Sequence, residues 1–96
     1  MHSINDLILF ILYSINKEGK SSFENLANEC FKKFPEVFSL KNFPKLLDSR
    51  KLDRPLRYLR KNNFIKGDPI TGFSLTKKGR KKAKESAESI RQKKLF

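Results

Sequence analysis

Between positions 50 and 61 four long cationic side chains recur at i, i+4, i+7 and i+11: Arg50, Arg54, Arg57 and Lys61. At about 100° per residue, a helix would gather them within about 60° of one another, opposite Leu52, Leu56 and Leu59. Guanidinium groups aligned in this way can donate paired hydrogen bonds to phosphate oxygens or to the O6/N7 edge of guanine. Like charges at i, i+4 repel by about 0.2–0.5 kcal/mol per pair. The stripe is therefore mildly unfavourable alone and becomes favourable when an anion neutralises it. Lys51 and Tyr58 fall on one shoulder of this stripe and Arg60 on the other, with Asp53 the acid nearest to it.

A second basic group follows: Lys77, Lys78, Arg80, Lys81, Lys82 and Lys84, six cations in eight residues. At a helix N-terminus such charges oppose the dipole by roughly 0.3–1 kcal/mol each, so an external polyanion is one candidate for balancing them. Other chemistry finds little support. One cysteine (Cys30) and one histidine (His2) exclude a Cys/His zinc site and an intrachain disulfide. A nucleophile–His pair would need His2, at a position prone to fraying. Glu85 and Glu88 read as solvated charges, Asp48 and Asp53 as helix caps, and four scattered glycines form no phosphate loop. An enzyme is not expected, nor any cofactor or metal.

The net charge of +12 is unevenly placed. Residues 1–48 hold six basic and six acidic residues, whereas residues 49–96 hold sixteen and four. A neutral half joined to a basic half suits a scaffold that presents a polyanion-binding surface. At 96 residues and 38% hydrophobic content the chain reads as one folded domain with a small core. Leu7 to Tyr13 is an apolar run of seven, against the roughly 20 that a membrane span needs. Asp6 ahead of it is unlike the basic start of a signal peptide. No membrane association is expected, and the chain reads as cytoplasmic.

Periodicity predicts a first helix over Asn5 to Lys17, capped by Ser3 or Asn5. Leu9, Phe10 and Tyr13 widen its apolar surface beyond one face, so either the C-terminal helix or a second subunit should cover them. A second helix starts at Ser21 or Ser22, where Ser21 and Glu24 have capping-box spacing, and Pro35 stops it. Cys30 lies on its apolar face and reads as packing. Residues 35–48 read as irregular chain that packs back on the domain, with Val37 to Leu40 a candidate extended piece. A third helix is predicted over Ser49 to Asn62. Pro55 leaves two outcomes open, a kink or a helix beginning with Asp53 as cap. Phe64–Gly67 and Gly72–Leu75 read as strands of a hairpin around Asp68-Pro69, and Thr76 caps a last helix to about Gln92.

Helix, helix, helix, hairpin, helix is the order of a winged helix-turn-helix domain, and two stretches resemble that family in detail. Leu56-Arg57-Tyr58-Leu59-Arg60-Lys61-Asn62-Asn63-Phe64-Ile65 looks like a recognition helix entering the wing in bacterial and archaeal regulators. Phe73-Ser74-Leu75-Thr76-Lys77-Lys78-Gly79-Arg80 is similar to the wing exit, aromatic-x-Leu-Thr-x-Lys-Gly-Arg. In that pattern Thr76 caps the helix and Gly79 permits close packing in its first turn. One departure is plain: some fourteen residues separate the second and third helices, where the tight motif uses about 3–4.

The resemblance implies a mostly helical fold with a small hairpin wing over residues 1–92, followed by a frayed basic tail at 93–96. It also implies double-stranded DNA as partner and a transcriptional role. Arg50, Lys51 and Arg54, toward the helix start, are the candidates for base edges. Arg57, Tyr58, Lys61, Lys66, Lys77, Lys78 and Arg80 are the candidates for the DNA backbone. Leu9, Phe10 and Tyr13 are the candidate surface for a homodimer or other partner. A second reading makes the chain a winged-helix interaction subunit or adaptor in a nucleic-acid-handling assembly.

Overall fold

Where the sequence predicted irregular chain packed on the domain, with one candidate extended piece, between the second and third helices, there is an additional hairpin. The computed structural model describes residues 3–15 and 19–94. The elements are α1 (Ile4–Ile15), α2 (Phe23–Lys33), α3 (Pro35–Phe38), β1 (Ser39–Leu40), β2 (Phe43–Leu47), α4 (Arg50–Lys61), β3 (Ile65–Asp68), β4 (Gly72–Leu75) and α5 (Lys77–Lys94). The chain is mostly helical with two small antiparallel hairpins, an order compatible with a winged-helix layout.

The apolar excess of α1 is absorbed within the chain. Leu7, Ile8, Leu9, Ile11 and Leu12 are all buried, and α1 packs on α2, α4, β4 and, most extensively, α5. The last helix buries one large side chain, Ile90, but its other buried positions Ala83, Ser86 and Ala87 are small. Small side chains let its backbone approach the bulky face of α1, so a nearly polar helix still closes the core. Leu9, at 1% exposure, is therefore core and not partner surface, a correction to the expectation for it. Phe10 and Tyr13 are half-buried, Phe10 meeting Phe34 edge-on at 6.2 Å between centroids.

The expected Ser21–Glu24 capping box does not form. Ser22, not Ser21, caps α2, its hydroxyl accepting from the Asn25 N–H at 3.0 Å. Ser21 instead exchanges both backbone hydrogen bonds with Phe73, at 2.7 and 2.8 Å, adding a bridge beside β4. Ser22→Ala is accordingly expected to cost about 1 kcal/mol, measured by denaturant unfolding, and Ser21→Ala less. Ser3 does cap α1, accepting from the Asp6 N–H. The predicted continuation of α1 to Lys17 lies outside the described residues.

Segment 35–48 is ordered by three anchors. Pro35 sits at the first position of α3, where its missing N–H costs nothing. Phe38 is fully buried, and its carbonyl accepts from the Asp48 N–H at 2.7 Å. The strands pair with Ser39 opposite Leu47 and Leu40 opposite Phe43, a slipped register that marks a bulge.

Helix α4 runs unbroken across Pro55, so the start at Asp53 does not occur. The Asp48 carboxylate accepts from the Arg50 N–H at 3.1 Å and supplies the cap. Leu52, Leu56 and Leu59 are buried as the stripe requires. Pro55 still deprives the Lys51 carbonyl of its N–H partner four residues on. Pro55→Ala should restore that bond and raise stability by about 1 kcal/mol in a thermal melt.

The β3–β4 hairpin pairs Ile65 with Leu75 and Asp68 with Gly72, one residue later on β3 than predicted. Its turn is held by the Asp68 carboxylate, which accepts from the Ile70 and Thr71 N–H groups at 2.8 and 2.7 Å. The last helix continues to Lys94, two residues past the expected Gln92; the predicted fraying of Leu95-Phe96 lies outside the described residues.

Candidate nucleic-acid interface

The leucine stripe of α4 faces the core, which turns its opposite side outward. Arg54, Arg57 and Lys61 are exposed, and the Arg50 side chain is 84% accessible. The four cations predicted to align do so on one open helical face. Around its first two turns lies an open hollow of about 410 Å³, lined by Asp48, Arg50, Lys51, Asp53, Arg54 and Arg57.

Acids fix two of these arginines. The Asp48 carboxylate accepts from Arg50 Nε at 3.1 Å. That bond chiefly holds the Asp48 carboxyl below its ordinary value, with the Arg50 backbone N–H adding to it against the cost of desolvation. The same contact raises the Arg50 guanidinium. Arg57 donates to Asp53 Oδ2 at 3.0 Å in an exposed i, i+4 pair. Arg54, between them, makes no hydrogen bond or ion pair among the described residues. It is the arginine whose full set of donors is open to a ligand.

Other candidates divide. Lys51 is half-buried and its ammonium donates to the Ser39 carbonyl at 3.0 Å, so it joins α4 to β1 rather than reaching outward. Lys78 donates to the Asn62 carbonyl at 3.1 Å and lies 4.4 Å from the Phe64 ring centroid. It thus complements the negative end of α4 and ties α5 to it. Lys66, Lys77 and Arg80 are exposed, and Tyr58 is half-exposed. Arg60, only a shoulder residue in the sequence, donates to the Gly67 carbonyl at 3.1 Å and pins β3 to α4. Its seven-residue separation from Gly67 gave no signal, because the contact depends on how the hairpin folds back.

The wing-exit residues act as the resemblance implies. Thr76 Oγ1 donates to a backbone carbonyl of the link between α4 and β3, Asn63 at 2.6 Å or Phe64 at 3.0 Å, and accepts from the Gly79 N–H at 3.0 Å. A Cβ at Gly79 would come within 1.7 Å of the Phe64 carbonyl oxygen. The first turn of α5 therefore lies directly on the exit of α4, so the two basic segments adjoin at Asn62 and Lys78.

Set against protein families, curated proteins and solved structures, the chain gives no match. Among the described residues no group of three or more His, Cys, Asp or Glu is placed to hold a metal ion. No described helix is long and apolar enough to cross a membrane. Cys30 is fully buried in the core, and burial, with Glu29 adding to it, pushes its thiol up to about 12. Native protein at pH 8 should therefore resist alkylation for as long as it stays folded, with prompt labelling only in denaturant.

Proposed function

We propose that the chain is a winged helix-turn-helix DNA-binding protein, a small transcriptional regulator that lays α4 in the major groove and acts without a cofactor. The observation that carries this reading is the exposed face of Arg50, Arg54, Arg57 and Lys61, opposite the buried leucines. A helix fits the width of the groove, and its cations offset the phosphate charge. Arg50 and Arg54 lie toward the helix start, where this motif meets base edges. Arg57, Tyr58 and Lys61 run toward the end that adjoins α5, and with Lys66, Lys77 and Arg80 they suit phosphate contacts. Lys51 and Lys78 serve by placing the elements. The homodimer expectation rested on α1, and the burial of Leu9 removes its anchor.

Fluorescence anisotropy with labelled duplexes, first of random and then of selected sequence, tests the reading. Arg54→Ala should cost about 1–3 kcal/mol on a selected site and much less on random duplex, since a base-edge contact carries discrimination. Lys61→Ala should weaken every sequence alike. Neither side chain is in the core, so both variants should melt as wild type does. Wild-type protein that binds no duplex at low salt would sink the proposal and leave the interaction-subunit reading.

A further inference from the structure

We infer that the β1–β2 hairpin is a second DNA-contacting element, gripping the phosphate wall beside α4 and placing Phe43 against the sugar or base edges beyond it. The inference rests on the DNA reading above and extends it to a segment that the tight motif lacks.

Four observations support it. The hairpin exposes Phe43 at 62% and Leu46 at 54%, unusual for a chain whose other large aliphatics mostly enter one core. Lys41 and Lys45 are exposed beside them, and residues 37–47 contain no acid. Cations interleaved with an aromatic residue suit a nucleic acid, because the cations neutralise phosphates while the ring packs on sugars or bases. Phe43 and Lys45, two apart on β2, are both exposed.

Position supplies the rest. The hairpin is fastened to the first turn of α4 by the bond from Lys51 to the Ser39 carbonyl. Lys51 lies about a quarter turn from both the leucine stripe and the basic face. When the basic face meets the floor of the groove, that shoulder faces its sugar–phosphate wall. The wall stands about 6 Å from the middle of a groove about 12 Å wide. Phe43 pairs with Leu40, which directly follows Ser39, so the exposed ring lies one residue along the hairpin from the Lys51 anchor. The hairpin is thus fastened on the side of α4 that faces that wall.

Two other occupants fit worse. A second copy paired through the same tip would bring Lys41 and Lys45 against their own counterparts. A partner strand added along β2 would meet Pro44, which has no N–H to give, and a lysine beside it, both features that blunt a sheet edge.

The test uses the full chain in anisotropy titrations over a salt series, with Lys41→Ala/Lys45→Ala and Phe43→Ser as variants. The lysine pair should flatten the log–log salt slope by nearly two units. Phe43→Ser should weaken binding about tenfold, the scale of one lost stacking contact, with the slope unchanged. Both sites are exposed, so unchanged melting curves serve as the control. If Arg54→Ala loses affinity while the hairpin variants bind as wild type, the inference is overturned and the α4 reading stands. If wild-type protein binds no duplex, both fall. A wild-type dimer in sedimentation that Phe43→Ser turns into monomer would assign the tip to a second copy and also overturn it.

Discussion

Gly79→Ala is expected to lower the melting temperature by about 10–20 °C. The added methyl would sit 1.7 Å from the Phe64 carbonyl oxygen, a backbone atom with no rotamer to give way. That carbonyl also accepts from the Thr76 N–H at 3.1 Å, and the Gly79 N–H donates to Thr76 Oγ1. Relieving the clash would lift the first turn of α5 and strain these bonds together. Overpacking alone costs typically about 1–3 kcal/mol, and each kcal/mol lowers the midpoint by about 4–8 °C in a domain of this size. Differential scanning calorimetry decides it. A midpoint within a degree or two of wild type would mean that α5 does not lie on Phe64 as described. Because α5 covers α1, the variant should also bind a dye for exposed apolar surface before the main transition.

Duplex affinity should fall about a hundredfold between 50 and 200 mM salt, if the protein neutralises about four phosphates at a slope of about −0.9 each. Arg57, Lys61, Lys66, Lys77 and Arg80, the exposed cations assigned to the backbone, supply that count. Arg50 and Arg57 enter the complex already paired to Asp48 and Asp53, so their positive field is partly spent within the protein. Asp53→Asn should thus tighten binding to random duplex while narrowing the preference for a selected site, since a freed Arg57 is more attractive and less oriented. Affinity that is flat across the salt range would rule out phosphate contact by this face. Acid supplies a related check. Asp48 and Asp68 both titrate below the ordinary 3.8, Asp48 through the Arg50 side chain first and Asp68 through the Thr71 N–H first. A depressed carboxylate contributes stability in full above its ordinary value and loses it as pH falls through the lower folded value. Stability should therefore hold down to about pH 4 and fall below it, and Asp48→Asn should remove part of that fall.

What the sequence disclosed follows from which forces are local. The leucine stripe of α4, its basic face and the Thr76–Gly79 capping turn are set by periodicity or by neighbours three or four residues apart. They were legible. The β1–β2 hairpin was not, because Pro44 reads as a breaker and the bulge disrupts the alternation that marks a strand. Lys51, Arg60 and Lys78 looked like surface cations, yet each reaches a backbone carbonyl on another element, and side-chain type says nothing about such partners. Leu9 misled for a related reason. Two covers for α1 were open, the C-terminal helix or a second subunit, and an α5 so poor in large apolar residues did not show that it was the one.

The Ser21–Phe73 bridge has a kinetic consequence. It joins positions separated by more than half the chain, as does the packing of α1 on α5, whereas β3–β4 and the turn at Gly79 close over short spans. Long closures cost more chain entropy and slow the route to the native state. The hairpin with the start of α5 should thus gain structure early, and the bridge should seal late. Hydrogen exchange at the Phe73 and Ser21 amides, both committed to that bridge, would then report the last event of assembly and not the first.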